Sequence, residues 1–365
     1  MIERLKLKTL DWYIMKKYLG TFFFSLLLCI VVIVVFDFSE KIDDFIEKEA
    51  PLKAVIFDYY VNLIPYYSTM FTSLFTFIAV IYFSSKMAYN SEIIAILSSG
   101  ISFRRLMYPY LLSALILALF SFGLKDGIIP SANRHRFKFE EQYLKKRAVQ
   151  FNQRNVHKQI EKGLFMYMES YSNNTETGYK FALERFEDGK LLSKLTSESV
   201  KWNPQNGKWT IRNYTVRDFD GLEERLTSGR LLDTLLNMSP EEFKRSEHFV
   251  ETMNIRELRA YMDELRMQGA DNLNSYIIEY QNRLSFPFAT FILTLIGVSL
   301  STRKDRGGIG IQIGIGVGLS FAYILFQQFS AQFATKGSLS PMVAAWIPNI
   351  IFLAVGLLLY SKAQK

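Results

Sequence analysis

The chain has one cysteine and three histidines among its 365 residues. Cys29 has no partner for an intrachain disulfide or a cysteine metal cage. His135, His157 and His248 lie too far apart for an HExxH-type ligand set, so metal enzymology is not indicated. Charge is missing over long stretches. Tyr18–Phe36, Tyr59–Ser85, Leu106–Leu124, Leu284–Thr302, Gly307–Thr335 and Gly337–Ser361 contain no Lys, Arg, Asp or Glu. In a helix, about 20 such residues cross roughly 30 Å of hydrocarbon, which excludes a single water-soluble domain and predicts six transmembrane helices. None of the six windows contains a charged or histidine side chain to serve as acid or base, which argues against an intramembrane enzyme. The first window is followed by Asp37-Phe38-Ser39-Glu40 rather than a small-x-small cleavage site, so it reads as a retained anchor.

The charge that is present sits at the ends of these windows. The net charge of +8 comes from Arg4, Lys6, Lys8, Lys16 and Lys17, then Lys86, Arg104 and Arg105, then Arg303, Lys304 and Arg306, and finally Lys362 and Lys365. Short loops rich in Lys and Arg stay on the cytoplasmic side, which puts both termini inside. Asp37, Glu40, Asp43, Asp44, Glu47, Glu49 and Asp58 then fall outside. No separate stripe of basic and aromatic residues remains to bind nucleic acid.

Between the third and fourth windows the composition becomes polar. Leu164–Glu169, Tyr179–Phe186, Leu191–Leu195, Ser199–Trp202 and Trp209–Phe219 read as strands. They are separated by turns at Asn173-Asn174-Thr175, Glu187-Asp188-Gly189, Asn203 to Gly207 and Asp220-Gly221. Repeated hairpins of this kind point to an all-β, antiparallel, jellyroll-like insert. Helices flank it: 131–147 follows Pro130, and a capping box at Asn254 and Glu257 opens a stripe of Ile255, Leu258, Tyr261, Met262 and Leu265 that ends at Gly269. The expected organisation is an N-terminal transmembrane half over 1–125, a β domain with flanking helices over 126–272 and a C-terminal transmembrane half over 273–365.

The run from Gly307 to Gly318 matches neither GxxxxGK[ST] nor GxGxxG. Its Gly310, Gly314 and Gly318 recur every fourth residue, a spacing suited to close helix packing. The inside loop over about 89–104 reads as a short amphipathic helix. Ile93, Ile96, Leu97 and Gly100 share one face, and Asn90 or Ser91 is placed to cap its start beside Glu92. One reading of this helix is an interfacial connector, and the other is a coupling helix seated in a groove of a cytoplasmic partner.

Leu10-Asp11-Trp12-Tyr13-Ile14, then Ser91-Glu92 with Ala95 and Ser99-Gly100, and the layout of three spans, a β domain and three spans resemble the LptF/LptG permeases of the lipopolysaccharide export machine. The N-terminal motif and the Gly-rich fifth span look closer to LptG. The resemblance implies an inner-membrane ABC-transporter permease of a Gram-negative bacterium with a periplasmic β-jellyroll. It implies a heterodimer with an LptF-type subunit, an LptB-type ATPase dimer and an LptC-type periplasmic protein. No cofactor would bind this chain, ATP and Mg being used by the ATPase. Glu92, Ala95 and Gly100 would then contact the ATPase. Phe22, Phe23, Phe24, Leu27 and Leu28 on the first span, with Phe321, Ile324 and Phe326 on the fifth, would line the lipid cavity and gate. Lys41, Lys125, Arg134, Arg136 and Lys138 are candidate headgroup contacts, although Lys41 lies among acids. The alternative is a membrane-anchored assembly or signalling protein whose β domain binds a periplasmic protein.

Overall fold

The computed structural model describes residues 8–144, 153–221, 223–240, 243, 247–267, 273–301 and 308–363. The chain divides into two compact units. One takes in residues up to Leu144, Glu251–Arg256 and everything from Asn274 onward, and the other Lys145–Val250 with Glu257–Leu273.

The first unit is helical. Its elements are α1 (Thr9–Glu47), α2 (Leu52–Met70), α3 (Thr72–Tyr89), α4 (Glu92–Ser98) and α5 (Phe103–Leu144). After α6 (Ile255–Met267), which belongs to the second unit from Glu257 onward, come α7 (Leu273–Ser301), α8 (Gly308–Thr335) and α9 (Pro341–Lys362). Among the described residues, α1, α5, α7, α8 and α9 are each long and apolar enough to cross a membrane. The pair α2 and α3 adds a sixth where the two are counted as one broken span, and the chain is a multi-pass membrane protein.

The second window was expected to form one continuous span. Instead it bends by 60° between Met70 and Thr72. Three hydroxyls crowd the break: Ser68 donates to the Ile64 carbonyl at 2.7 Å, Thr69 to Tyr66 at 2.9 Å and Thr72 to Ser68 at 2.7 Å. Side chains that compete for helix carbonyls in this way loosen and bend a helix. Proline has a related effect elsewhere. A π-helical stretch, Leu124–Ile128, lies just before Pro130 and absorbs the bond that this residue cannot make. In α9, Pro348 frees the carbonyl of Ala344, and Ser330 of α8 donates to it at 2.6 Å. Polar backbone inside hydrocarbon has to be satisfied by such neighbours.

Two apolar clusters hold the bundle together. Ile14, Tyr18, Phe22, Phe83, Met87, Ile93 and Tyr110 join α1, α3, α4 and α5. Phe77, Ile81, Leu293, Ile296, Tyr323 and Phe352 join α3, α7, α8 and α9. The hydroxyls of Tyr18 and Thr294 meet at 2.9 Å and tie α1 to α7.

The second unit carries a six-stranded antiparallel sheet whose strands follow one another in chain order. They are β1 (Gln153–Glu161), β2 (Leu164–Ser172), β3 (Thr177–Glu187), β4 (Lys190–Asn203), β5 (Lys208–Asp220) and β6 (Glu223–Thr234). The inserted all-β domain is therefore present, and the expected turns fall between strands. The two strands expected over 191–202 are one: Ser197, in the polar gap between them, pairs with both Phe181 and Tyr214, so the neighbouring strands carry the ladder across it. Met166, Met168, Phe181, Val200, Trp209 and Ile211 fill one face of the sheet, each fully buried side chain contributing roughly 1.5–3 kcal/mol. Trp209 Nε1 donates to the Met238 carbonyl at 3.1 Å. The helix expected over 131–147 forms as far as Leu144, and 145–147 lie outside the described residues, as does Gly269.

Candidate functional site

The loop between α3 and α5 contains α4, a helix of 7 residues. Ser91 just before it adopts φ +62° and makes no side-chain cap, so the expected capping by Asn90 or Ser91 does not occur. Asn90 Nδ2 instead donates to Glu92 Oε1 at 3.2 Å, and Tyr13 Oη donates to Glu92 Oε2 at 3.1 Å. Ile93 is buried against the bundle, with Ile96 and Leu97 half-buried beside it. Ile94, 48% exposed, faces away together with Ala95 and Ser98, and Gly100, expected on the apolar face, is exposed because the helix ends at Ser98. Gly100 has φ +86°, a conformation that glycine adopts without strain, and it lets the chain turn into α5. Ser102 Oγ then accepts from the Arg105 amide. The amphipathic helix is thus seated on its apolar face and presents Ile94 among small residues outward.

Sequence reasoning gave no role to the two residues that fix this loop. Asp11 is fully buried and receives both arms of Arg105, Nη1 to Oδ1 at 2.6 Å and Nη2 to Oδ2 at 2.5 Å. The same carboxylate accepts the Lys8 amide at 2.8 Å and so caps α1. Tyr13 is the second. The available signal was an acid between Leu10 and Ile14, apolar positions just ahead of an uncharged helix.

Along α1 the expected gate residues divide. Phe22 is buried in the bundle, Phe23 packs edge-on against Phe120, and Phe24, Leu27 and Leu28 are exposed, Phe24 to 64%. On α8, Phe321 and Phe326 are exposed, and Ile324 packs against the cluster that contains Tyr323. Both helices thus present a bare aromatic and aliphatic face. Gly310, Gly314 and Gly318 lie on α8 with nothing within 4 Å of an added Cβ, so among the described residues they do not pack against another helix. Gly316 does, since a Cβ there would stand 2.3 Å from Ile81 Cδ1. The Gly-rich run is helical from Gly308 onward, so its backbone amides are not arranged as a phosphate loop.

Four of the five candidate headgroup cations already have protein partners. Lys41 Nζ donates to Asp37 Oδ1 at 2.6 Å and to Tyr59 Oη. Lys125 stands 3.9 Å from Glu279 and over the Phe286 ring. Arg134 donates to the Thr252 carbonyl at 3.0 Å. Arg136 is buried against the rings of Tyr66 and Phe137, facing Glu140 at 3.4 Å and Glu251 at 3.8 Å. Lys138 is exposed. With Asn133 to the Glu251 carbonyl, Arg283 to that of Met253 and the Ile255 amide to Asp126, these contacts stitch Glu251–Arg256 onto the helical unit. The Ile255 amide, within this segment of the helical unit, is held by Asp126 at 2.6 Å.

A family model described as "Lipopolysaccharide export system permease LptF/LptG" matches residues 12–362. No curated protein matches the chain.

Proposed function

The chain belongs to the LptF/LptG family of lipopolysaccharide export permeases, and from that premise we propose that it is the LptG-like half of an inner-membrane ABC transporter. In this reading both termini and α4 are cytoplasmic and the β domain is periplasmic. A partner ATPase supplies the energy, and an LptF-type subunit faces this chain across α1 and α8. An LptC-type protein receives lipid at the β domain. The observation that supports this best is α4: a helix fixed by Glu92 and Ile93 that presents Ile94, Ala95 and Gly100 outward has the form of a docking element for a protein groove. The exposed faces of α1 and α8 suit acyl chains, which need an apolar wall. Of the candidate headgroup cations, exposed Lys138 suits a phosphate best.

The test is purification in mild detergent with the natural neighbours, followed by mass spectrometry of retained proteins and lipid. A complex containing an ATPase, a second six-span subunit and lipopolysaccharide is expected. A lone chain that retains only a soluble periplasmic protein supports the membrane-anchor alternative instead.

A further inference from the structure

Asp11 is buried while the Arg105 side chain is 33% exposed, and such a partly buried pair adds little net stability, because desolvation and solvent screening offset most of its attraction. What a bidentate Arg–carboxylate pair does well is fix distance and angle. Asp11 and Arg105 make such a fork between the first turn of α1 and the first turn of α5. Capping α1 needs only one acceptor, and the Lys8 amide uses that capacity without Arg105. Two residues along α1, Tyr13 holds Glu92 at the opposite end of α4. The start of α1 therefore grips the α4 segment from both ends. Farther along, α1 is tied to α7 through Tyr18 and Thr294, and to α2 where Asp37 accepts from Tyr60 at 3.2 Å. Between these ties its outward face is bare.

We propose that the Asp11–Arg105 fork is the joint through which α4, pushed by a docked ATPase, displaces α1 at the lipid-facing surface. Asp11 and Arg105 are then positioning residues for lipid entry and not part of the ATPase-binding face. The proposal rests on the export reading above for what moves α4, whereas the joint itself is a property of this chain alone.

The experiment has two arms. In the first, hydrogen exchange is followed in the full chain in lipid nanodiscs for wild type, Asp11→Asn, Arg105→Gln, Arg105→Lys and the exchanged pair Asp11→Arg with Arg105→Asp. Each single neutralisation is expected to speed exchange over 9–17 and 92–98 together, and the exchanged pair, which cannot rebuild the Asp11 cap on the Lys8 amide, to restore 92–98. Faster exchange confined to the mutated segment overturns the joint. In the second arm, the same variants are assembled with the ATPase that copurifies, and lipopolysaccharide released per ATP hydrolysed is measured. This ratio should fall about tenfold in the neutralised variants, with the ATPase retained, and recover in the exchanged pair. Arg105→Lys, which keeps the charge and loses the fork, gives an intermediate ratio and guards against a folding failure. An unchanged ratio, or loss of the ATPase from every variant, overturns the proposal. If the wild-type assembly releases no lipopolysaccharide, the export reading fails, and the exchange arm alone decides the joint.

Discussion

Tyr13 Oη donates to Glu92 Oε2 at 3.1 Å across 79 residues of sequence. Glu92 spends its other oxygen on Asn90, so its carboxylate organises the loop as well as carrying charge. Tyr13→Phe removes one of these bonds, at a cost of about 1 kcal/mol, and Glu92→Ala removes both. In the assembled complex Glu92→Ala should uncouple ATP hydrolysis from lipid transport, with Tyr13→Phe showing a weaker form of the same defect. Export and complex assembly are the quantities to measure. Wild-type values for both in Glu92→Ala would remove the coupling role.

Two glycines of the helical unit should respond in opposite ways to the same substitution. A Cβ on Gly297 would stand 2.7 Å from Val80 Cγ1 and 3.2 Å from Val80 Cβ, and a β-branched side chain cannot swing clear. Gly297→Ala should destabilise the chain by about 1–3 kcal/mol through overpacking of α3 against α7. Gly314→Ala meets nothing within 4 Å and should be neutral or slightly stabilising in the isolated chain, because alanine is the better helix former. Thermal unfolding of both variants in detergent makes the comparison, and equal melting temperatures would contradict it.

The spans were legible because lipid tolerates so little charge that its absence alone marks them. The bend at Phe71 was not, since Ser68, Thr69 and Thr72 look like ordinary small residues until their hydroxyls are seen taking carbonyls. Of the strands, β2, β3 and β5 were marked by aromatic and β-branched residues, whereas β1 and β6 are sheet edges rich in polar residues, as edges that must resist pairing usually are. The interior ladder that unites β4 belongs to its neighbours, not to its own sequence. At the candidate site, Ile93, Ile96 and Leu97 on the inward face of α4 followed from helical spacing, whereas Gly100 falls past the end of the helix. The Asp11–Arg105 fork joins residues 94 apart, and no periodicity encodes such a pairing.

Ser330 and Pro348 should be energetically coupled through the Ala344 carbonyl that lies between them. Ser330→Ala leaves that carbonyl bare in the bundle, at a cost of about 0.6 kcal/mol by the average for interhelical hydrogen bonds in membranes. Pro348→Ala restores a backbone amide at the fourth residue, which can take the carbonyl over. In that background Ser330→Ala should cost nothing, and a double-mutant cycle of unfolding free energies measures the difference. Additive effects would show that the serine does no such service.

The partners of the basic residues predict an order among them in lipid contact. Lys41 lies against Asp37 and Tyr59, and Arg136 between two rings and two carboxylates. Turning either toward a phosphate would break an arrangement that supports α1 or the Glu251–Arg256 strap. Lys138, on the same helix as Arg136, is exposed and can meet an anionic headgroup without that cost. Photocrosslinking from neighbouring positions to lipopolysaccharide should therefore fall more in Lys138→Glu than in Lys41→Gln, whereas Lys41→Gln should lower thermal stability more. If Lys41→Gln abolishes crosslinking while stability is unchanged, the lysine must leave Asp37 to bind lipid, and the ordering is wrong.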